Sequence, residues 1–165
     1  PGVYDSKCTY DAGNVFGNLY DFEPLDFDGN NTMDAAIALT WIANLGNATP
    51  SNGYGKPRSA AIEASLNQKV QKFGRTTSLT KGVITGINAS IWITYDSGQA
   101  LFTDQVIVQS GRRFIKPGDS GSLLDTDPDR RPVGLLFAGD NSGKYAIANR
   151  IIPMLERFDV TVDGE

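Results

Sequence analysis

Residues 116–124 read Lys-Pro-Gly-Asp-Ser-Gly-Ser-Leu-Leu, or KPGDSGSLL. Pro, Gly, Asp and Ser are the residues of turns. Pro fixes φ, Gly reaches left-handed backbone, and Asp and Ser bond to their own main chain. The run therefore begins as a loop and leaves as a strand through Leu123 and Leu124. It sets one hydroxyl, Ser120, between two glycines. A serine hydroxyl is a weak nucleophile until a neighbouring base takes its proton. The usual base is a histidine, and the 165 residues contain none.

The sequence around this loop is patterned for strands. Downstream come an acidic turn (DTDPDRR), an apolar run (PVGLLFAGD), a second turn (DNSGK) and the run Tyr145–Asn149. Upstream lie short β-like runs over Val70–Phe73, Gly82–Ile91 leading into Ile91–Tyr95, and Leu101–Val108. Ser122–Leu124 and Val133–Phe137 complete the set. Short strands with a turn every ten residues or so predict a barrel or sandwich. Ile151–Phe158 (IIPMLERF) predicts a terminal helix with Ile151, Leu155 and Phe158 on one face. Asn14–Phe27 is aromatic and loosely alternating, a strand or strand pair. Met33–Leu45 is open on local grounds: its Ala and Leu content suits a helix, and its flanking turns suit a buried strand followed by a helical turn. Residues 46–60 (GNATPSNGYGKPRSA) form a linker, dense in Gly, Pro, Asn and Ser. It divides the chain into residues 1–45 and 61–165. No internal repeat or low-complexity tract is present.

Composition excludes several classes. Net charge is −4, with 15 Asp against 4 Glu, which favours turns and caps over helix interiors. There is no basic stripe, so no nucleic-acid partner is expected. Cys8 is the only cysteine, so no intramolecular disulfide forms, and the usual zinc ligands are missing. No cofactor or metal is expected. The acidic runs DFDGNNTMD and DTDPDR are calcium candidates, but the first lacks EF-hand spacing, and both read as solvated turns. No run is apolar enough to span a membrane, and no membrane association is expected. Sequons at Asn30, Asn47 and Asn88 matter only in a eukaryotic secretory pathway. The compartment stays open between secreted and cytoplasmic. The first residue is Pro1, so the gene is expected to encode more than this chain.

Three segments carry a resemblance. Gly118–Ile151 (GDSGSLLDTDPDRRPVGLLFAGDNSGKYAIANRI) resembles chymotrypsin-like serine proteases in its order: nucleophile loop, strand, turn, pocket-lining strand. The GDSGS form is most similar to bacterial trypsin-like peptidases. GNNTMDAAIAL resembles the segment bearing that family's aspartate and maps it onto Asp34. Lys72–Ile87 (KFGRTTSLTKGVITGI) resembles the stretch that opens the second barrel. The three lie in the family's order and cover nearly the whole chain.

The resemblance implies an all-β, double-barrel fold with a C-terminal helix. Residues 1–45 are the remainder of a first barrel, incomplete in this chain, and residues 61–165 are the second. It implies that Ser120 attacks a peptide carbonyl, that the Gly118 and Ser120 amides form the oxyanion hole, and that Asp34 orients the base. Asp119 is implied to serve structure, since the aspartate before the nucleophile often pairs with a new N-terminus made by activation. Phe114 maps to the base of the specificity pocket, Phe137-Ala138-Gly139 to the edge that pairs with a polypeptide substrate, and Ala146 to Ala148 to the far wall. An apolar or small preference follows.

In the serine-protease triad, His precedes Asp by roughly 45 residues and Asp precedes Ser by roughly 93. Asp34 and Ser120 are 86 positions apart. A histidine at family spacing falls about ten residues or more before Pro1. The expectation is therefore the C-terminal chain of a serine endopeptidase, cleaved near Pro1 by autoproteolysis or otherwise. Its partner is the N-terminal segment or second chain that supplies the histidine and covers the open barrel edges. Two rivals remain: a pseudoprotease that binds protein without catalysis, and a Ser120–Lys116 dyad. Trp41 and Trp92 read as core residues, the Arg112-Arg113 and Arg130-Arg131 pairs as surface, and Cys8 as a small buried or loop residue.

Overall fold

The structure is a computed structural model that describes Gly13 and residues 15–165. Cys8 lies outside the described residues. Two compact units are formed. The first takes residues up to Phe22 together with Ala36–Gly46; the second takes Glu23–Ala35 and Asn47–Glu165. Asp34 thus groups with the residues that follow the linker.

In the first unit, β1 (Asn18–Phe22) and β3 (Ala36–Leu39) form a two-stranded antiparallel ribbon with a bulge between Leu19 and Asp21. A single 3-10 turn, Ile42–Asn44, follows β3. Met33–Leu45 therefore resolves as a strand followed by a helical turn, with no α-helix. Trp41 is 83% exposed and Ile42 86%, which corrects the expectation of a core Trp41. A two-stranded ribbon has no second layer to bury such side chains.

The second unit is a closed ring of strands. β4 (Lys69–Gly74), β5 (Ser78–Tyr95), β6 (Gly98–Gln109), β7 (Leu123–Thr126), β8 (Pro132–Gly139) and β9 (Tyr145–Arg150) hydrogen-bond in the order β6-β5-β4-β7-β8-β9. β9 then returns to β6. Closure removes the exposed edges that an open sheet must protect. The short β2 (Asn30–Asn31) adds in parallel to β6 at Leu101 and Phe102. β5 is long enough to wrap the ring because bulges between Ile84 and Ile91 bend it.

The barrel interior is filled by Val70, Ile84, Val106, Val108, Phe114, Leu124, Val133 and Leu136, all at most 1% exposed. Their period-2 alternation with outward residues is what the sequence runs predicted. Burying side chains of this size contributes about 1.5–3 kcal/mol each. The helix α1 (Ile151–Phe158) ends at Asp159 in left-handed conformation, φ 50°. It buries Ile151, Met154 and Phe158, so Met154 takes the face predicted for Leu155. Spacing of three and seven residues keeps one stripe on the barrel.

Candidate active site

Lys116–Ser122 crosses the mouth of the barrel between Ile115 and β7. Two glycines give the loop its path, Gly118 at φ +93° and Gly121 at φ +84°. A Cβ on Gly118 would lie 2.7 Å from Thr76 Oγ1, so this position needs glycine for space as well as conformation. Ser120 is exposed, and its Oγ donates to the Phe137 carbonyl at 3.1 Å. Lys116 is exposed and does not bond to Ser120, which gives the dyad no support. Among the described residues, the amides of Gly118 and Ser120 donate to no protein acceptor. Those of their neighbours do: Asp119 to Lys116 O (3.0 Å) and Gly121 to Leu136 O (2.7 Å).

Between those two amides, the Asp119 carboxylate turns into the protein. It accepts from the Thr76 amide (2.8 Å), the Thr77 amide (3.1 Å), the Thr77 hydroxyl (2.7 Å) and the Lys116 amide (2.9 Å). Lys72 Nζ lies 3.3 Å from Asp119 Oδ2, and both side chains are fully buried. Asp119 is thus paired inside the barrel by a strand lysine. Burial alone would raise the Asp119 pKa; the Thr77 hydroxyl and the three amides outweigh it and hold the carboxyl below its usual range. For Lys72, burial lowers the pKa against the pull of Asp119.

Asp34 is tied to the barrel at three points. Its amide donates to Asn149 Oδ1 (3.1 Å), its carbonyl accepts from Asn149 Nδ2 (2.9 Å), and its carboxylate accepts from the Tyr95 hydroxyl at 2.6 Å. Burial, then the Asp34 bond, pushes the Tyr95 phenol well up, so it stays a donor. Tyr95 leads back to Ser120 through rings: Tyr95–Phe102 at 6.3 Å and Phe102–Phe137 at 4.9 Å between centroids. Phe137 carries the carbonyl that holds Ser120 Oγ.

Ser120 opens into a cleft of about 1120 Å³ lined by β5, β8 and β9, with Ile107, Ile115 and Ile147 among its apolar walls. Phe137, Ala138 and Gly139 line it. Beyond Leu136, β8 has no strand among the described residues on the edge away from β9. Three expectations are corrected. Phe114 is not in the wall; it is fully buried in the barrel core, 5.8 Å from Lys72 Nζ to its ring centroid. Its neighbour Ile115 lines the cleft instead, against Gly139, where a Cβ would meet Ile115 Cγ2 at 2.5 Å. Ala146 and Ala148 face the core, and strand alternation turns Ile147 to the cleft. Trp92 lines the cleft at 60% exposure rather than packing in the core.

Among the described residues, no three His, Cys, Asp or Glu side chains converge on a metal-sized space. The acidic turns are occupied. Asp26 Oδ1 accepts from the Asp28 and Gly29 amides, Asp127 pairs with Lys81, and Asp129 pairs with Arg58. Among the described residues, no helix is long and apolar enough to cross a membrane.

A family model described as the Nal1 C-terminal domain matches residues 39–163. The chain belongs to the Nal1 C-terminal domain family. No curated protein sequence matches it significantly. Solved structures place this Nal1-type chain in the chymotrypsin-like serine-protease fold. It is similar to chymotrypsin from Cellulomonas bogoriensis at TM-score 0.67 and 23% identity, over 93% of this chain and 78% of that one. A glutamic-acid-specific serine protease gives TM-score 0.64 at 21% identity, with 93% and 78% covered. Protease A of Thermobifida fusca gives 0.66 at 21%, with 82% and 70% covered.

Sequence reading named Ser120, Asp34 and the Gly118 loop but missed Lys72, Tyr95 and Asn149. For Lys72 a signal existed: a charge in the middle of an otherwise strand-like run, KVQKFG. Tyr95 and Asn149 act on a residue 61 and 115 positions away, and nothing local announces that.

Proposed function

We propose that this domain is the nucleophile-bearing part of a serine endopeptidase. Ser120 Oγ attacks the scissile carbonyl and forms an acyl-enzyme, which water then hydrolyses. The Gly118 and Ser120 amides stabilise the oxyanion, and Asp34 orients the base. The base is a histidine from an upstream segment or second chain. The ribbon of β1 and β3 belongs to the barrel that segment completes. The observation that carries the reading is the pair of unoccupied amides beside an exposed serine hydroxyl at the head of a cleft.

Substrate binds in extended form along Phe137–Gly139, adding a strand to the free edge of β8. Ile107, Ile115 and Ile147 favour an apolar side chain at the cleavage site. Exposure of Leu19, Tyr20, Leu39, Trp41 and Ile42 supports a missing cover on the β1–β3 ribbon. A second reading is favoured by one fact, the lack of any histidine in these residues: a pseudoprotease that uses the same cleft to bind polypeptide.

The test is fluorophosphonate labelling of the protein expressed from its whole natural gene. Labelling at Ser120 that Ser120→Ala removes supports the peptidase. An unlabelled, folded protein that still binds extended apolar peptides supports the pseudoprotease.

A further inference from the structure

Three cations gather at the Ser120 loop with no carboxylate to neutralise them. Arg75 follows β4 on the turn into β5. A Cβ on Gly118 would lie 3.4 Å from Arg75 Nη1, so the guanidinium rests against the Gly118 backbone. The next residue latches this turn to the loop, since Thr76 Oγ1 donates to the Pro117 carbonyl at 2.9 Å. Lys116 lines the cleft from the loop itself, and its amide is fixed on Asp119 Oδ2 at 2.9 Å. Arg113 lines the cleft beside it. Its Nε donates to the Ser142 carbonyl at 3.2 Å, and its Cγ lies 2.8 Å from where a Gly143 Cβ would be. All three residues are exposed, and among the described residues none of them is in an ion pair. Asp140 is the one carboxylate that lines the cleft among the described residues. Its oxygens are taken by its own turn: they accept from the Ser142 amide (3.2 Å), the Ser142 hydroxyl (2.5 Å) and the Tyr145 amide (3.0 Å). The chain as a whole carries a net charge of −4. An acidic ligand is therefore repelled by the molecule at large and drawn to this rim.

Resting on the peptidase reading of Ser120, we propose that Arg75, Arg113 and Lys116 form a cationic rim that selects acidic polypeptide. The isoleucine walls take an apolar side chain at the cleavage site, and the rim takes Asp or Glu side chains on the residues that flank it. Arg75 and Arg113 offer guanidinium donors that match a carboxylate, and Lys116 offers a mobile point charge. Exposed charges of this kind act on encounter and on the choice between substrates more than on tightness of binding.

The experiment uses the protein from the whole gene and three capped fluorogenic peptides. Each has one apolar residue at its centre, flanked on both sides by Glu, by Gln or by Lys. It reads kcat/KM on the wild type, and Kd by fluorescence anisotropy on Ser120→Ala. The Glu peptide is expected to exceed the Gln peptide by about fivefold at low salt, and the Lys peptide to fall below both. The preference should shrink toward unity near 1 M salt, where screening acts within about 3 Å. The double variant Arg75→Glu/Lys116→Glu should invert the order of the Glu and Lys peptides. Loss of packing alone would weaken all three alike. If that variant does not fold, the salt series on the wild type decides. A wild type that cleaves all three peptides equally overturns the rim and leaves the peptidase reading standing. If no peptide is cleaved, the peptidase reading fails and the Kd values decide: tighter, salt-sensitive binding of the Glu peptide upholds the rim, and equal or absent binding overturns it.

Discussion

The Tyr95 hydroxyl donates to the Asp34 carboxylate at 2.6 Å, and this bond joins the end of β5 to the segment that bears the acid. A hydrogen bond to a charged group contributes about 1.5–3 kcal/mol. Tyr95→Phe removes it with little change in shape. In the complete peptidase, kcat should fall by roughly 10- to 100-fold. The melting midpoint of the barrel should move little, because Asn149 still holds the Asp34 backbone. Steady-state kinetics beside a thermal melt checks this; a Phe variant of unchanged kcat would assign Asp34 a structural role.

Gly118 and Gly121 make a matched pair for substitution. Both have positive φ, but only Gly118 has a neighbour where a Cβ would go, Thr76 Oγ1 at 2.7 Å; around Gly121 nothing lies within 4 Å. Each Ala variant carries backbone strain of about 1–3 kcal/mol. Gly118→Ala should also displace the loop, lower the midpoint further and slow Ser120 labelling by about 100-fold. Urea unfolding of the two variants, compared with their labelling rates, separates strain from displacement.

Asp125 on β7 is fully buried, and neither of its oxygens accepts a hydrogen bond. Tyr54 and Arg130 are its polar neighbours. Burial pushes the Asp125 carboxyl up to about 6, and Tyr54 and Arg130 only temper that rise. Because the folded pKa exceeds the unfolded one, folding favours the protonated acid. The stabilisation is fully present below about pH 4 and is lost as pH rises through about 6, a change of about 3 kcal/mol. Asp125→Asn should therefore be more stable than wild type at pH 7–8, with a stability curve flatter between pH 4 and 7. Chemical denaturation across that range tests it, and parallel curves would refute it.

Trp41 and Ile42 present exposed apolar surface. The double variant Trp41→Ser/Ile42→Ser should bind less hydrophobic dye and self-associate less. The stability of the barrel should stay within about 0.5 kcal/mol of wild type, as for exposed substitutions generally. Dye fluorescence and light scattering at matched concentration read the difference.

Strand alternation and turn chemistry carried most of the barrel. The runs around Val70, Leu101, Val133 and Tyr145 became β4, β6, β8 and β9 with ends shifted by no more than a few residues. The Gly118–Gly121 loop was legible because its residue types have few other uses. Side-chain facing was harder. Phe114 and Ile115 are apolar neighbours in a loop without period, and both are buried; only Ile115 also reaches the cleft, which residue type alone does not tell. Trp92 looks like core by residue type, yet strand parity on β5 puts it outside Ile91 and Ile93. Long-range partners such as Tyr95 for Asp34 leave no trace in a single sequence.

Asn149 meets the Asp34 backbone with both ends of its side-chain amide, as one strand residue meets another. The acid is thereby registered to β9, a strand of the very ring that presents Ser120. On the peptidase reading, two of the three triad members would travel as one piece, and a separately delivered imidazole would have a ready-made seat to find. An enzyme divided at that point would be governed by supply: its rate would follow the occupancy of the delivered strand, as affinity follows concentration in any two-component assembly.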